Sequence, residues 1–447
     1  MSTIEMREEK KIIEESTKEI KRIASLDFLR GLAIFFVIFI HSFHYLYDHT
    51  WILEDPSQLL DFPIPFLIIA GILGYFALWV AFFILLSAIV NSYVMTKKAR
   101  SSVKKRQIVF KQLLTGFATI FLGYIREAFF YWGYFGQVIK SGDWSNIYPL
   151  WSSLFEMKPL QIIGWCLVVN GIIHYLLMLK DGHDKYLRNM IVYGSLAIVI
   201  ITSTTFLQNW VTQLDWIIPN IDSIPLTAEN RVFTGWPNHH VATANASFKT
   251  WILALLSAEN EPLFPFLATS MVGSMIGLSL AKPKPPKRFP LKAGLSSLAI
   301  IGTGIILAVS GVRFTFVEKP PTIPTYLIQM GGQIGLVTLF LWLVEFRGKG
   351  MKFANNRIIK HFRLWAMVSL TVFAFDLFNF IPRSFLQLTA GRFTSFNFLH
   401  DDIFEGIEGF AWVLLVSFVV ILFYELLLWL WKKVNFAGSF EWSMIRL

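Results

Sequence analysis

Residues 22–51 read RIASLDFLRGLAIFFVIFIHSFHYLYDHTW. Arg30 is followed by ten residues, GLAIFFVIFI, that carry no charge, and the apolar character persists to Tyr47. A run of this kind, bracketed by charges, is what the hydrocarbon core of a bilayer selects for a crossing helix. Working outward, comparable stretches recur at 72–95, 109–131, 160–179, 188–207, 263–281, 293–312, 323–345, 363–382 and 407–431. With 32–47 they predict about ten transmembrane helices. Composition agrees: 55% of the 447 residues are hydrophobic and only 16% charged, against roughly a quarter charged in soluble domains. The 43 Phe and 16 Trp suit lipid contact. The expected fold class is therefore all-α, a polytopic integral membrane helical bundle. A single cysteine, Cys166, excludes an intrachain disulfide framework.

Charge placement sets an expected orientation. Segments 1–31, 97–106, 282–292 and 347–363 hold 7, 6, 5 and 6 Lys plus Arg, whereas loops 48–62, 132–158, 208–262, 313–322 and 383–406 hold two at most. The positive-inside rule then predicts an even number of spans with both termini cytoplasmic. The net charge of +10 is explained by clusters such as KKARSSVKKR (97–106) and KPKPPKR (282–288) facing anionic lipid headgroups. Nucleic acid is the weaker reading, because these clusters come with no aromatic stacking platform or recognition fold. The expected organisation is a cytoplasmic amphipathic segment 1–31, without the apolar core of a cleavable signal. A membrane part 32–281 follows, including an extracytoplasmic loop 208–262, then a basic linker 282–292 and a C-terminal four-helix part 293–447.

Ionisable side chains inside a bilayer are costly, so each is a site candidate. The densest group ends the first span, with His41, His44, Asp48 and His49 in IHSFHYLYDHTW. A continuous helix would place them within one arc, with Asp48 near enough to His44 to orient its imidazole. A histidine held by a carboxylate can act as general base. The competing reading is that these rings only sit at interface depth, where His, Tyr and Trp are common. A metal site from the same four residues is allowed by spacing, but no partner ligand pattern elsewhere demands it, and no metal is expected. Arg126 and Glu127 lie near the outer end of the third span. His174, Asp376 and Glu425 are isolated within theirs, and for His174 and Glu425 a packing role is the stronger expectation. The outer loop adds His239-His240 and an Asn245-Ala246-Ser247 sequon.

The segment 22–41 resembles the opening of the transmembrane acyltransferases, the superfamily of heparan-alpha-glucosaminide N-acetyltransferase and acyltransferase-3 proteins. Their R-x-x-S-L-D-x-x-R-G pattern is matched by Arg22, Ser25, Leu26, Asp27, Arg30 and Gly31. The run DHTWILEDPSQLLDFPIPFLIIAG is similar to the segment that follows in the heparan-alpha-glucosaminide branch, through His49, Trp51, Asp61, Pro63, Phe66 and Gly71. His41 instead matches the first-span histidine of acyltransferase-3 proteins. Segments 259–277 and 435–447 are similar to later parts of related membrane families.

The resemblance implies transfer of an acyl group, most often acetyl, from cytoplasmic acetyl-CoA or another acyl-CoA to a carbohydrate or glycolipid acceptor on the other side. The general base is then His49 or His41, with His49 favoured by its Trp and Asp-Phe-Pro context. Asp48 or Asp61 would orient it, and Arg126 would stabilise charge on the carbonyl oxygen. Arg30, Lys97, Lys98, Arg100, Lys104, Lys105 and Arg106 would attract the phosphates of coenzyme A. The rival class is a transporter or flippase of a small or lipid-linked solute, for which repeated and broken helices are expected.

Overall fold

The computed structural model describes residues 22–48, 62–77, 80–101, 103–127, 154–155, 157–212, 247–257, 261–314, 321–394, 396–399 and 403–446. In chain order the helices are α1 (Ala24–Leu46), α2 (Ile64–Ala77), α3 (Val80–Arg100), α4 (Lys105–Ile125) and α5 (Pro159–Met178). They continue with α6 (Tyr186–Thr212), α7 (Phe248–Ser257), α8 (Leu263–Leu280), α9 (Phe289–Val309) and α10 (Ile323–Phe340), the last prolonged by a π-helical turn over Leu341–Phe346. Then come α11 (Arg357–Met367), α12 (Ser369–Ala374), a 3₁₀ turn (Asp376–Asn379), α13 (Phe380–Thr389), α14 (Gly406–Lys432) and α15 (Phe440–Arg446). The described residues contain no strand, and their helices include nine long and apolar enough to cross a membrane.

The chain is thus an all-α, multi-pass integral membrane protein. Nine of the ten expected spans correspond to these helices. The tenth, 363–382, is not one helix: α11 stops at Met367, α12 at Ala374, and a 3₁₀ turn intervenes before α13. The second span also starts later than expected, because 72–77 belongs to α2 and the long helix begins at Val80.

Two compact units divide the described residues: 22–26 with 80–350, and 27–77 with 351–446. The basic segment 282–292 lies inside the first.

In the first unit α8 is the central helix, with 83% of its most apolar window buried. Its sequence LFPFLATSMVGSMIGLSL mixes large apolar with small residues, and small residues let membrane helices approach closely. α3 and α6 pack on it, α4 pairs with α5, and α9 with α10. At the α4–α5 crossing Gly116 faces Gly164. A Cβ on Gly116 would stand 3.0 Å from the Gly164 carbonyl oxygen, and one on Gly164 2.7 Å from that of Gly116. Outward faces are apolar: Ile198, Val199 and Phe206 on α6, and Leu291, Leu298 and Ile306 on α9, are exposed. Rows of exposed apolar side chains on long helices suit lipid, not water.

In the second unit α1 meets α11 where Gly31 removes the side chain; a Cβ there would lie 1.7 Å from the Phe362 carbonyl oxygen. Phe76 of α2 stacks on Phe36 of α1, with centroids 3.8 Å apart. A core of Leu46, Tyr47, Phe398, Phe404, Phe410, Val413 and Val416 closes the far end of α1. The Glu441 carboxylate of α15 accepts from the Leu370 amide and the Thr371 hydroxyl, satisfying donors of the first turn of α12.

Candidate functional site

α1 carries His41 about five turns from its start. The ring does not pair along its own helix. His41 Nδ1 lies 2.8 Å from an Asp376 carboxylate oxygen in the 3₁₀ turn of the interrupted segment. Asp376 is 2% exposed, and the His41 side chain 28%. A carboxylate this buried is expensive without a partner, and the imidazole supplies one. The geometry has a chemical consequence. A carboxylate at Nδ1 holds the proton on that nitrogen and turns Nε2 into an acceptor. Tyr45 and Phe373 flank the ring at 6.1 and 5.9 Å between centroids.

The break in 363–382 is what brings Asp376 there. Phe375 N donates to its helical partner, the Thr371 carbonyl, at 3.0 Å, after which the chain tightens. The Phe375 carbonyl accepts from Phe378 N in the 3₁₀ turn and also from the Tyr424 hydroxyl of α14.

The helix that the arc over 41–49 would need stops before Asp48. α1 ends at Leu46, because Asp48 N donates to the Phe404 carbonyl at 2.8 Å and Phe404 N to the Leu46 carbonyl at 3.0 Å. This long-range backbone pairing replaces the next helical turn. His44 is exposed. His49, Trp51, Asp61 and His239-His240 lie outside the described residues. Among the described residues no group of three or more His, Cys, Asp or Glu side chains gathers as a metal site would require.

The other expected site residues have these places. Arg126 ends α4 in the first unit, buried, its guanidinium bonded to Glu127. Arg30, in the second unit, donates Nε to Ser369 Oγ at 2.7 Å. In the basic cluster, Arg100 bonds Asp184 at 3.2 Å and Lys105 bonds Asp181 at 2.9 Å, both acids from the α5–α6 connection. Lys97 lies 6.0 Å over the Tyr93 ring, and Lys98 lines a cleft with Asn91, Gln107, Lys111 and Thr115. Lys104 and Arg106 are exposed.

The isolated intramembrane groups also find partners. His174 is bonded by Thr96 at 3.1 Å and Tyr193 at 3.0 Å, within a network that runs through Asn170 to Ser274 and Ser92. Glu425 accepts from Trp365 at 3.0 Å and lies 2.8 Å from His361 Nε2. Asp376 had been visible only as a lone acid; nothing in the sequence ties it to His41.

Scanned against protein-family models the sequence matches none, and a search of curated proteins returns no similar sequence. What the fold defines is the class: an integral, multi-pass helical membrane protein.

Proposed function

We propose that this protein is a membrane-embedded acyltransferase in which His41 is the general base and Asp376 orients it. The single observation that supports this reading is the 2.8 Å contact between His41 Nδ1 and a nearly fully buried carboxylate. A base must have one nitrogen fixed so that the other can receive a proton. In this reading Nε2 takes the proton from an acceptor hydroxyl or amine. The oxygen or nitrogen attacks the carbonyl carbon of an acyl thioester, the C–S bond breaks, and the thiolate leaves with the proton held on the imidazolium. The donor is acyl-CoA, with acetyl favoured by the resemblance at 22–41. The acceptor is a carbohydrate or glycolipid. Both termini are placed in the cytoplasm, in accord with the basic segments, and His41 towards the opposite face of the cell membrane.

A second reading has an observation of its own. The interrupted segment 363–382 with a buried acid at its break is the kind of feature that transporters use for coupling ions. There His41–Asp376 would be a proton site. Purified protein given radiolabelled acetyl-CoA without any ion gradient separates the two: acetyl release or transfer supports the enzyme, and its absence together with proton-driven solute uptake in vesicles supports the transporter.

A further inference from the structure

In the first unit, α3 and α4 are joined by residues 101–104 alone. Each packs chiefly on a different helix, α3 on α8 and α4 on α5, and a cleft of about 180 Å³ remains between them. A single water needs roughly 10–15 Å³, so the cleft has room for a polar group of many atoms. Lys98 from α3 and Lys111 from α4 line it together, close enough for their like charges to repel. The acids that reach these helices from the α5–α6 connection are committed elsewhere, Asp184 to Arg100 and Asp181 to Lys105. Neither Lys98 nor Lys111 has an acidic partner among the described residues. Two cations held together repel, and an anion between them relieves that cost. Away from the 101–104 end the lining changes. Asn91 lies seven residues, about 10 Å, along α3 from Lys98. Next to the lining residues both helices expose apolar side chains, Val90 on α3 and Phe110 and Phe117 on α4.

We infer that the α3–α4 cleft is a binding site for one anionic glycerophospholipid, with the headgroup phosphate held between Lys98 and Lys111. The order of chemistry along the cleft is the order along such a lipid: phosphate, ester carbonyls, hydrocarbon. Phosphate oxygens accept from the two ammonium groups. The Asn91 amide, deeper in, donates to an ester carbonyl, and the chains lie along Val90, Phe110 and Phe117. A soluble phosphate compound would meet the two lysines but leave the deeper amide and the apolar flanks unused, which favours a lipid. Basic pockets between membrane helices at the cytoplasmic side are suited to anionic headgroups. Basic surface segments attract such lipids diffusely; two lysines facing each other across a cleft define a single, stoichiometric site. Lys98, expected from the resemblance to attract coenzyme A, is thereby assigned to a lipid. The inference stands on the first unit alone and needs neither His41 nor acyl transfer.

The test uses the full chain, delipidated in detergent and titrated with dioleoyl phosphatidylglycerol or with zwitterionic dioleoyl phosphatidylcholine, read by native mass spectrometry. Wild type should retain one phosphatidylglycerol per chain at concentrations where phosphatidylcholine is not retained. Lys98→Gln combined with Lys111→Gln should weaken that binding by about thirtyfold, the product of roughly fivefold for each lysine. Lys111→Gln alone, at an exposed position, should cost about fivefold and decides the matter if the double variant does not fold. Lys287→Gln with Lys292→Gln removes the same charge from exposed positions of the 282–292 segment and should leave binding unchanged. Coenzyme A and inorganic phosphate, each at millimolar concentration, should not displace the lipid. Displacement by either gives the lysines to a soluble phosphate and overturns the proposal. So does equal retention of the two lipids, unchanged binding in Lys111→Gln, or an equal loss in the 287/292 variant, which would make the attraction diffuse.

Discussion

His41 and Asp376 are 335 positions apart in the chain and 2.8 Å apart in the fold. Removing one partner of a buried ionic contact leaves the other without compensation, whereas removing both with apolar replacements is far less damaging. The expected outcome is that His41→Leu destabilises the protein by up to about 3 kcal/mol, less than a fully buried pair because the ring is partly exposed. Asp376→Leu combined with His41→Leu should recover most of that loss. Thermal unfolding of the two single variants and the double variant checks it, and strictly additive effects would show that the two groups do not interact.

The spans were legible because length and apolar content are local properties, and nine of the ten expected stretches became long helices. The exception, 363–382, is mostly apolar but carries Arg363, Asp376 and Asn379. What interrupts it is tertiary: the Tyr424 hydroxyl on Phe375 O and the Glu441 carboxylate on the first turn of α12, from partners 49 and 71 residues away. His41 was legible as a candidate from its residue type at membrane depth. Its partner was not, because spacing rules apply within one helix and Asp376 sits on another. The early end of α1 at Leu46 was hidden for the same reason, with Phe404 capturing the backbone of Leu46 and Asp48.

The approach of α1 to α11 depends on Gly31. A methyl group there would lie 1.7 Å from the Phe362 carbonyl oxygen, a backbone atom that no rotamer change can move. Gly31→Ala should therefore cost about 3 kcal/mol or more, at or above the usual cost of overpacking a core. Gly71→Ala is the control, since nothing lies within 4 Å of its Cβ position; it should be neutral or slightly stabilising. Differential scanning fluorimetry of both in the same detergent makes the comparison.

In the first unit, Asn170 joins Tyr193 to Ser274, receiving from one hydroxyl and donating to the other at 3.0 and 2.7 Å. Asn170→Leu removes both bonds, while the Tyr193 hydroxyl keeps His174 and the Ser274 hydroxyl keeps Ser92 and the Ser270 carbonyl. Interhelical bonds of this kind in membranes contribute modestly, so a loss of about 1–2 kcal/mol is expected. Acetyl transfer should survive it at temperatures where the protein stays folded. A larger effect on rate than on unfolding temperature would assign this network a part in the chemistry.

Orientation is open to direct measurement. Cys166 is buried, so single cysteines can be placed in a Cys166→Ala background. Lys104→Cys and Lys287→Cys should be labelled by an impermeant maleimide only after the cytoplasmic face is opened. Phe393→Cys, 90% exposed between α13 and α14, should be labelled in intact cells. Labelling of all three from one side would break the charge-based topology.

Acetyl transfer by the purified protein tests the central claim most directly. Radiolabelled acetyl-CoA and a mixed glycolipid acceptor are supplied to wild type, His41→Gln and Asp376→Asn, each confirmed to be folded. Wild type should transfer label, His41→Gln should fall to background, and Asp376→Asn should lose about 10²–10⁴-fold, the range for disabling a general base. Transfer by His41→Gln at the wild-type rate would contradict the account.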